Sequence, residues 1–276
     1  MALITGGGTG IGLGITKMLV AHGAKVVITG RREGPLKDAV AALQPGSAAF
    51  TTGDVRDYAS CERMVAKTVS EFGRLDILVN NAAGNFVTAS ADLTPNAFKT
   101  VMDIDLHGSF NMAKASLEEL KKTQGIVISI TATLHYKVTP FQLHASAAKA
   151  AIDVMTNSIG VEWAAEHGIR AVSIAPGPIA DTVGGPTGRV FGGSMKTSDV
   201  RHIVPVGRFG TVDDIANCVM FVASPAGSFI NATHIVVDGG HWHEASGTFL
   251  RGREAVKQKS ESERKVKGTG SDRSKL

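Results

Sequence analysis

A glycine-rich turn near the start of the chain is the first place where the residues could bind a ligand through the backbone. Residues 6–12 read Gly-Gly-Gly-Thr-Gly-Ile-Gly, directly after an apolar segment and directly before a helix-like one. Glycine permits positive φ angles and close approach of the backbone to a phosphate, and the free N–H groups at a helix start attract negative charge. A strand, this turn and a helix in that order predict a site for the pyrophosphate of a dinucleotide. The candidate cofactor-binding residues in the turn are Gly6, Gly8, Thr9, Gly10, Ile11 and Gly12.

The end of the second apolar segment indicates which dinucleotide would bind. An acidic residue at that place would bind the ribose 2′-hydroxyl of NAD. Here Gly30 stands at that place, and Arg31 and Arg32 follow it. Guanidinium groups bind phosphate in bidentate fashion. The sequence therefore favours NADP over NAD, and the alternative is that both arginines simply face solvent.

Short apolar segments alternate with longer helix-like segments along the chain, which is typical of a parallel sheet with helices on both faces. The predicted strands are 2–5, 25–29, 48–52, 75–79, 126–131, 170–175 and 234–237. The predicted helices are 10–22, 34–43, 59–72, 95–121, 142–167 and 211–223. Seven strands in strict alternation, without a long linker, predict one α/β domain at residues 1–240 with a doubly wound, Rossmann-type parallel sheet.

Composition and charge exclude several classes of protein. The 276 residues include 29 Lys and Arg against 25 Asp and Glu, a net charge of +4. Residues 241–276 hold nine basic and five acidic residues, so residues 1–240 carry no net charge, which argues against a nucleic-acid-binding domain. No run approaches 18 apolar residues, so no membrane span is predicted. With two cysteines, Cys61 and Cys218, and no Cys/His cluster, we expect no metal site.

Two segments depart from the alternation. Residues 176–205 are rich in glycine, and a loop of this length in a compact domain is usually a functional lid or a disordered segment. Residues 241–276 lose their apolar periodicity, which predicts a flexible, polar, basic tail. The tail ends in Ser274-Lys275-Leu276, the receptor-read peroxisomal signal. We therefore expect the peroxisomal import receptor as a partner and the matrix of a peroxisome, or of a specialised one such as a glycosome, as the location.

Several further motifs, in this order, resemble the short-chain dehydrogenase/reductase family. The motifs span residues 1–240 and comprise Gly53-Asp54-Val55, Asn80-Asn81-Ala82-Ala83-Gly84, Pro176-Gly177-Pro178-Ile179 and Asp238-Gly239-Gly240. The resemblance implies that Asp54 contacts the adenine and that Asn81 and Ala82 lie near the cofactor ribose. The further cofactor contacts it implies are Val55, Lys149, Pro176, Gly177, Ile179 and Thr182. Met1 directly precedes the first predicted strand, where family members usually have further residues.

The residues that usually carry the chemistry of this family are absent. Most members have Tyr-x-x-x-Lys, in which the tyrosine protonates a carbonyl oxygen. The lysine here matches Lys149, but Ala145 stands four residues before it, and Ala132 stands where a catalytic serine usually lies. Tyr58 and Tyr136 are the two tyrosines of the chain, and neither fits. The usual reduction of a carbonyl group is therefore not expected.

One branch of the family, which reduces 2,4-dienoyl-CoA thioesters, shares these departures. Segments 81–86, 96–105, 130–133 and 144–149 resemble that branch. The resemblance implies Asp105 and Lys149 as catalytic residues, NADPH as cofactor, a polyunsaturated fatty-acyl-CoA as substrate and 3-enoyl-CoA as product. The substrate-binding candidates are Arg56, Phe86, Thr94, Asn96 and, within the glycine-rich segment, Arg189. A guanidinium suits a CoA phosphate and an aromatic ring suits an acyl chain.

The chemistry of a conjugated thioester explains why a tyrosine could be dispensable. Hydride addition to the far end of a dienoyl thioester gives an extended enolate, whose oxygen needs hydrogen-bond donors while the proton goes to carbon. A water polarised by Asp105 could deliver that proton, with Lys149 holding the cofactor ribose and keeping the local charge positive.

Two other functions stay open at this point. One is another acyl-CoA reductase or dehydrogenase of the family, acting on 2-enoyl- or 3-oxoacyl-CoA, against which the absent tyrosine weighs. The other is a catalytically silent NADP-binding subunit, against which Asp105 and Lys149 count. The family resemblance also implies a homo-oligomer, a dimer or tetramer, paired through the predicted helices at 95–121 and 142–167.

Overall fold

The computed structural model describes residues 1–180, 182, 200 and 202–243. Its strands form one sheet in the order β3-β2-β1-β4-β5-β6-β7, and every pairing is parallel. The strands are β1 (Ala2–Thr5), β2 (Val26–Gly30), β3 (Ala48–Thr52), β4 (Ile77–Asn80), β5 (Ile126–Ile130), β6 (Arg170–Pro176) and β7 (Thr233–Val237). The predicted seven-stranded, doubly wound sheet is confirmed.

Helices cover both faces of this sheet. They are α1 (Gly10–Ala21), α2 (Glu33–Ala41), α3 (Tyr58–Phe72), α4 (Pro95–Met102), α5 (Gly108–Thr123), α6 (Leu143–His167) and α7 (Val212–Ala223). Successive strand residues point to opposite faces, so Leu3 and Ile4 belong to different cores. The core around Ile4 includes residues of α1, α2 and α7, and the core around Leu3 includes residues of α3, α5 and α6. This two-sided burial explains why the strands read as short, continuous apolar runs.

The helix predicted at 95–121 is interrupted, so that prediction was wrong in its middle. A π-helical turn, Asp103–His107, lies between α4 and α5. A π turn contains more residues than an α turn and therefore reorients the side chains within it. Asp105, at the centre of this turn, is buried, and its carbonyl accepts a hydrogen bond from Ser109 Oγ at 2.6 Å. Apolar periodicity alone gives no sign of a turn that directs a carboxylate inward.

The strand order reverses at β1, which pairs with β2 on one side and with β4 on the other. The connections that follow β1 and β4 therefore diverge, and a crevice opens at the carboxyl ends of these strands. Ligands of open α/β sheets bind at such a point. The glycine-rich turn after β1 lies at this crevice.

Some predictions fall on parts of the chain that the structure does not describe. Arg189, most of the glycine-rich segment 176–205, and the tail beyond residue 243 with its terminal Ser274-Lys275-Leu276 lie outside the described residues. Among the residues that are described, no helix is long and apolar enough to cross a membrane. The same residues contain no group of three or more His, Cys, Asp or Glu side chains that could hold a metal ion.

Candidate active site

A cavity of about 790 Å³ lies at the carboxyl ends of the strands, a size typical of sites for small molecules and cofactors. Its wall contains most of the predicted cofactor residues and both predicted catalytic residues. These are Gly6, Gly8, Thr9, Gly10, Ile11, Arg31, Arg32, Asp54, Val55, Asn81, Ala82, Asp105, Lys149, Pro176, Gly177, Ile179 and Thr182. Gly12 lies behind this wall.

The glycine-rich turn has the geometry that an anion site requires. Gly6 and Gly10 have φ angles of 65° and 53°, which a residue with a Cβ adopts only with strain. Thr9 is the N-cap of α1, yet its side chain makes no capping hydrogen bond within the described chain. The first N–H groups of α1 therefore stay available to a phosphate, and the turn fits the pyrophosphate of a dinucleotide.

Hydrogen bonds join the turn after β1 to the turn after β4. Thr5 Oγ1 accepts from the backbone N–H of Asn81 at 3.0 Å and of Ala82 at 2.9 Å. The Asn81 side chain returns a hydrogen bond from Nδ2 to the Thr5 carbonyl at 2.9 Å. These contacts hold the two sides of the crevice together and place Asn81 and Ala82 on the cavity wall.

The basic residues after β2 lie at the cavity with their side chains exposed. Within the described part of the chain, neither Arg31 nor Arg32 forms an ion pair. Arg56 differs, because its guanidinium donates to both carboxylate oxygens of Asp54, with Nε at 3.0 Å from Oδ1 and Nη2 at 2.5 Å from Oδ2. That hydrogen-bonded pair holds the pKa of Asp54 below its ordinary value.

Asp105 and Lys149 form a buried ion pair at the cavity. The distance from Asp105 Oδ2 to Lys149 Nζ is 3.0 Å, and the two residues are 1% and 8% exposed. Asp105 Oδ1 accepts the Gly84 N–H at 2.7 Å, and Lys149 Nζ donates to the Ile130 carbonyl at 3.2 Å. Each charge compensates the other, which a buried ion requires. The structure thus brings together two residues that were predicted to act together.

The four described substrate candidates are not on the cavity wall. Phe86 stacks on the His144 ring with 4.1 Å between centroids. Thr94 caps α4 by accepting the Ala97 N–H at 3.2 Å, and Asn96 is exposed on the first turn of that helix. Arg56 is engaged with Asp54. Their assignment to the substrate stays a prediction.

His144 holds Phe86 in position. It is fully buried, its Nε2 lies 3.1 Å from the Phe86 carbonyl, and burial lowers its pKa. The neutral ring therefore donates its N–H to that carbonyl. Sequence reasoning gave no catalytic role to this histidine, and the geometry is that of a structural side chain.

Tyr136 does not replace the missing tyrosine. Its hydroxyl donates to Asp153 Oδ2 at 3.1 Å, and it is not among the residues of the cavity wall. Burial and the negative charge of Asp153 raise the pKa of the hydroxyl, which makes it a poorer acid.

Sequence reasoning missed two amide side chains on the cavity wall, Asn85 and Gln142. Asn85 Nδ2 donates to Gln142 Oε1 at 2.7 Å. The spacing offered a signal for Gln142, because residues three and seven positions apart share a helix face, and Gln142 precedes Ala145 and Lys149 by these intervals. Asn85 lies in the segment 81–86 that resembles one branch of the family, but as a loop residue it has no periodic signal that would assign its side chain to the cavity.

The sheet order, the uncapped glycine-rich turn and the buried lysine define a Rossmann-type oxidoreductase. A family model described as enoyl-(acyl carrier protein) reductase matches residues 6–241. The chain belongs to the short-chain dehydrogenase/reductase family, as the motifs predicted, and it is an oxidoreductase that binds NAD(P)H.

Similar proteins and structures agree with this membership. The peroxisomal 2,4-dienoyl-CoA reductase [(3E)-enoyl-CoA-producing] of Arabidopsis thaliana is 42% identical over 100% of this chain and 96% of the relative. The Saccharomyces cerevisiae protein of the same description is 42% identical over 88% of this chain and 84% of the relative. A short chain dehydrogenase from Bacillus anthracis has a TM-score of 0.80 at 36% identity, covering 87% of this chain and 95% of that one. A Brucella melitensis 3-ketoacyl-(acyl-carrier-protein) reductase complexed with NADH has a TM-score of 0.79 at 25% identity, covering 87% and 97%.

Proposed function

We propose that this protein reduces 2,4-dienoyl-CoA thioesters of unsaturated fatty acids to 3-enoyl-CoA, with NADPH as the reductant. The observation that carries the proposal concerns two residues of α6 that line the cavity. Lys149, the lysine of the family motif, pairs with Asp105, while Ala145 stands in place of the tyrosine. A site without a phenol at this position suits a reaction in which carbon, not oxygen, receives the proton. The relatives that carry this activity in their names support the same reaction.

The residues after β2 support NADPH rather than NADH as the cofactor. Gly30 offers no carboxylate to a ribose 2′-hydroxyl, and Arg31 and Arg32, which are exposed and line the cavity, would bind a 2′-phosphate. The pyrophosphate would be held by the glycine-rich turn and the start of α1, and the ribose near the nicotinamide by Lys149. When bound, NADPH supplies a hydride to the far end of the conjugated thioester.

Asp105 and Lys149 would then control the proton. Among the described residues, Asp105 Oδ2 lies 3.0 Å from Lys149 Nζ and has no further partner, so it keeps a lone pair with which it would polarise a water. The positive charge of Lys149 favours the ionised form of the Asp105 carboxylate and would stabilise the developing enolate. The proton of the polarised water would go to the substrate carbon next to the thioester carbonyl.

The predicted substrate residues would bind the acyl-CoA outside the wall of the cofactor cavity. We assign Arg56 and Arg189 to the CoA phosphates, and Phe86, Thr94 and Asn96 to the rest of the thioester. Arg56 would have to exchange part of its pairing with Asp54 for a phosphate, since the two side chains are in bidentate contact.

A comparison of three thioesters tests the activity. The purified full-length protein is mixed with NADPH and a 2,4-dienoyl-, a 2-enoyl- or a 3-oxoacyl-CoA in turn, and the loss of nicotinamide absorbance is followed. Oxidation of NADPH with the dienoyl ester alone supports the proposal. Oxidation with one of the other esters instead would assign a different reductase, and tight NADPH binding without any oxidation would assign a silent subunit.

Location and assembly form two further parts of the proposal. The terminal Ser274-Lys275-Leu276 would bind the peroxisomal import receptor and deliver the protein to the peroxisome matrix. Val154 and Val161 are exposed and lie seven residues apart on α6, and Phe110 is exposed on α5. An apolar face on these two helices supports pairing of identical chains. Deletion of the last three residues should leave a fluorescent fusion in the cytosol, and light scattering should give a mass above that of one chain.

A further inference from the structure

The amide pair Asn85–Gln142 leaves polar atoms without a partner at the cavity. Gln142 is 1% exposed, and within the described residues its Nε2 and the Asn85 Oδ1 have no hydrogen-bond partner. The two side-chain amides could also be oriented with their O and N atoms exchanged. The contact between them would be kept, and one NH₂ group and one oxygen would still be unpaired. A buried amide without a partner is costly, so such a group in a native site calls for an explanation.

The position of Gln142 relates it to the catalytic lysine. Gln142 is the N-cap of α6, Ala145 lies one turn further and Lys149 one turn beyond that. All three line the same cavity, and because residues three and seven positions apart share a helix face, Gln142 is on the same side of α6 as the space that Ala145 leaves open. This is the space that a tyrosine hydroxyl would occupy in most members of the family.

The backbone around Gln142 is held in place. Phe141, directly before it, has a φ of 66°, in the left-handed region that a bulky residue rarely adopts. Its carbonyl accepts the Thr88 N–H at 3.1 Å, which ties the start of α6 to the loop that carries Asn85. The amide pair is therefore positioned before any ligand binds.

We propose that the amide NH₂ of Gln142, oriented by Asn85, donates a hydrogen bond to the thioester oxygen of the substrate and stabilises the enolate. This inference rests on the proposed function. As the hydride forms a bond to C5 of the dienoyl chain, electrons move through the conjugated bonds and the negative charge collects on the thioester oxygen. The carbonyl re-forms when C2 takes a proton from water, and the hydroxide so formed takes a proton from the solvent. The products are a C3–C4 double bond and an oxidised nicotinamide. Gln142 supplies the donor that Ala145 lacks, and it transfers no proton.

A spectroscopic experiment tests the hydrogen bond without turnover. Hexa-2,4-dienoyl-CoA is added to the full-length protein saturated with NADP⁺, which cannot reduce it. A donor at the carbonyl polarises the conjugated system and shifts its absorbance to longer wavelength. The shift should appear with the parent protein and with the exposed-site control Gln44→Met, and should be lost in Gln142→Met, which has a similar shape and no donor.

Kinetics give the second readout. Gln142→Met should lower kcat for the dienoyl ester by about 100-fold, as the loss of one oxyanion donor does elsewhere, with NADPH affinity and KM close to those of the parent. Gln142→Glu should be poor at neutral pH and gain activity as the pH falls, because only a protonated carboxyl donates. Asn85→Asp should also lower kcat, because its carboxylate would draw the Gln142 NH₂ away from the cavity.

The outcomes separate this inference from the proposed function. If the parent protein reduces the dienoyl ester and Gln142→Met keeps both its kcat and the absorbance shift, the inference is wrong and the function stands. If Gln142→Met raises KM alone, Gln142 contributes only to ground-state binding and the inference is likewise overturned. If the parent protein binds NADPH but does not reduce the dienoyl ester, the proposed function itself fails.

Discussion

The Asp105 carboxylate and the Lys149 ammonium lie 3.0 Å apart, although they come from a π turn and from a separate long helix. Two charges buried to this degree are tolerable only as a pair. The widened turn directs Asp105 inward, and the Gly84 N–H holds its second oxygen at 2.7 Å. The ion pair is therefore both a structural contact between elements and the charged centre of the candidate site.

Asp105→Asn removes the negative charge and keeps the shape of the side chain. We expect turnover of a dienoyl-CoA to fall by about 100-fold or more, because an amide cannot activate a water as a carboxylate does. The matched control is Asp103→Asn in the same π turn, which loses only exposed contacts with Lys99 and His107. Steady-state rates and NADPH binding are measured for both variants. An Asp105→Asn protein with the parental rate would contradict the proposed role.

The two arginines after β2 allow a direct test of cofactor choice. Replacing both Arg31 and Arg32 with Ala should weaken NADPH binding by about tenfold or more, since each hydrogen bond to a charged phosphate contributes about 1.5–3 kcal/mol. NADH affinity should change little, because NADH lacks the 2′-phosphate. Arg63→Ala is the control, since Arg63 lies on α3 and pairs with Asp57 at the surface. Fluorescence titrations with both nucleotides give the comparison, and equal losses for NADPH and NADH would show that the arginines do not select NADP.

Because of Asp153, the free energy of unfolding should depend on pH in the acid range. Burial by itself would raise the pKa of Asp153, but hydrogen bonds from His135 and Ser173 lower it below its ordinary value. A carboxylate with a lower pKa in the folded state stabilises the protein above the unfolded pKa, which is about 3.9, and this contribution is lost as pH falls through the folded pKa.

Asp153→Asn should therefore lower the free energy of unfolding by about 2 kcal/mol at neutral pH. The difference from the parent should shrink below about pH 4, where the Asp153 carboxylate of the unfolded chain begins to take up a proton while that of the folded chain stays ionised. Urea unfolding at a series of pH values measures it. A difference that stays constant through the acid range would show that the charge of Asp153 is not what stabilises the fold.

The fold was predictable because its signals are local. Buried parallel strands read as short apolar runs, and the predicted bounds of β1 and β3, Ala2–Thr5 and Ala48–Thr52, are those of the structure. The interrupted helix was not predictable, since a π turn leaves the apolar periodicity on either side almost unchanged. The structure alone shows that this turn carries the carboxylate that pairs with Lys149.

The site was predictable to a smaller extent. The glycine-rich turn could be predicted from its composition. The pairing of Arg56 with Asp54 could not, because it depends on the conformation of one short loop after β3. The contact between Asn85 and Gln142 joins two loops that are distant in the sequence. Long-range contacts between polar side chains leave no periodic signal, so sequence reasoning could name Asn85 as part of a motif but could not give it a partner.

Gly12 should be required for packing behind the cavity and not for contact with the cofactor. A Cβ at this position would lie 2.3 Å from the Gly6 carbonyl oxygen and 2.6 Å from Asn81 Nδ2. Gly12→Ala should therefore lower the free energy of unfolding by about 1–3 kcal/mol, the usual cost of overpacking. NADPH affinity should fall with it, because the displaced groups belong to the turn that holds the pyrophosphate.

Gly34→Ala provides the matched comparison. Gly34 lies in α2, and nothing approaches within 4 Å of a Cβ built on it. Alanine restricts the unfolded chain and favours the helix, so this variant should be more stable than the parent by about 0.4–1 kcal/mol. Thermal and denaturant unfolding of both variants measure the two effects. If Gly12→Ala were as stable as Gly34→Ala and bound NADPH normally, the turn would have room for a side chain and the close packing described for it would be wrong.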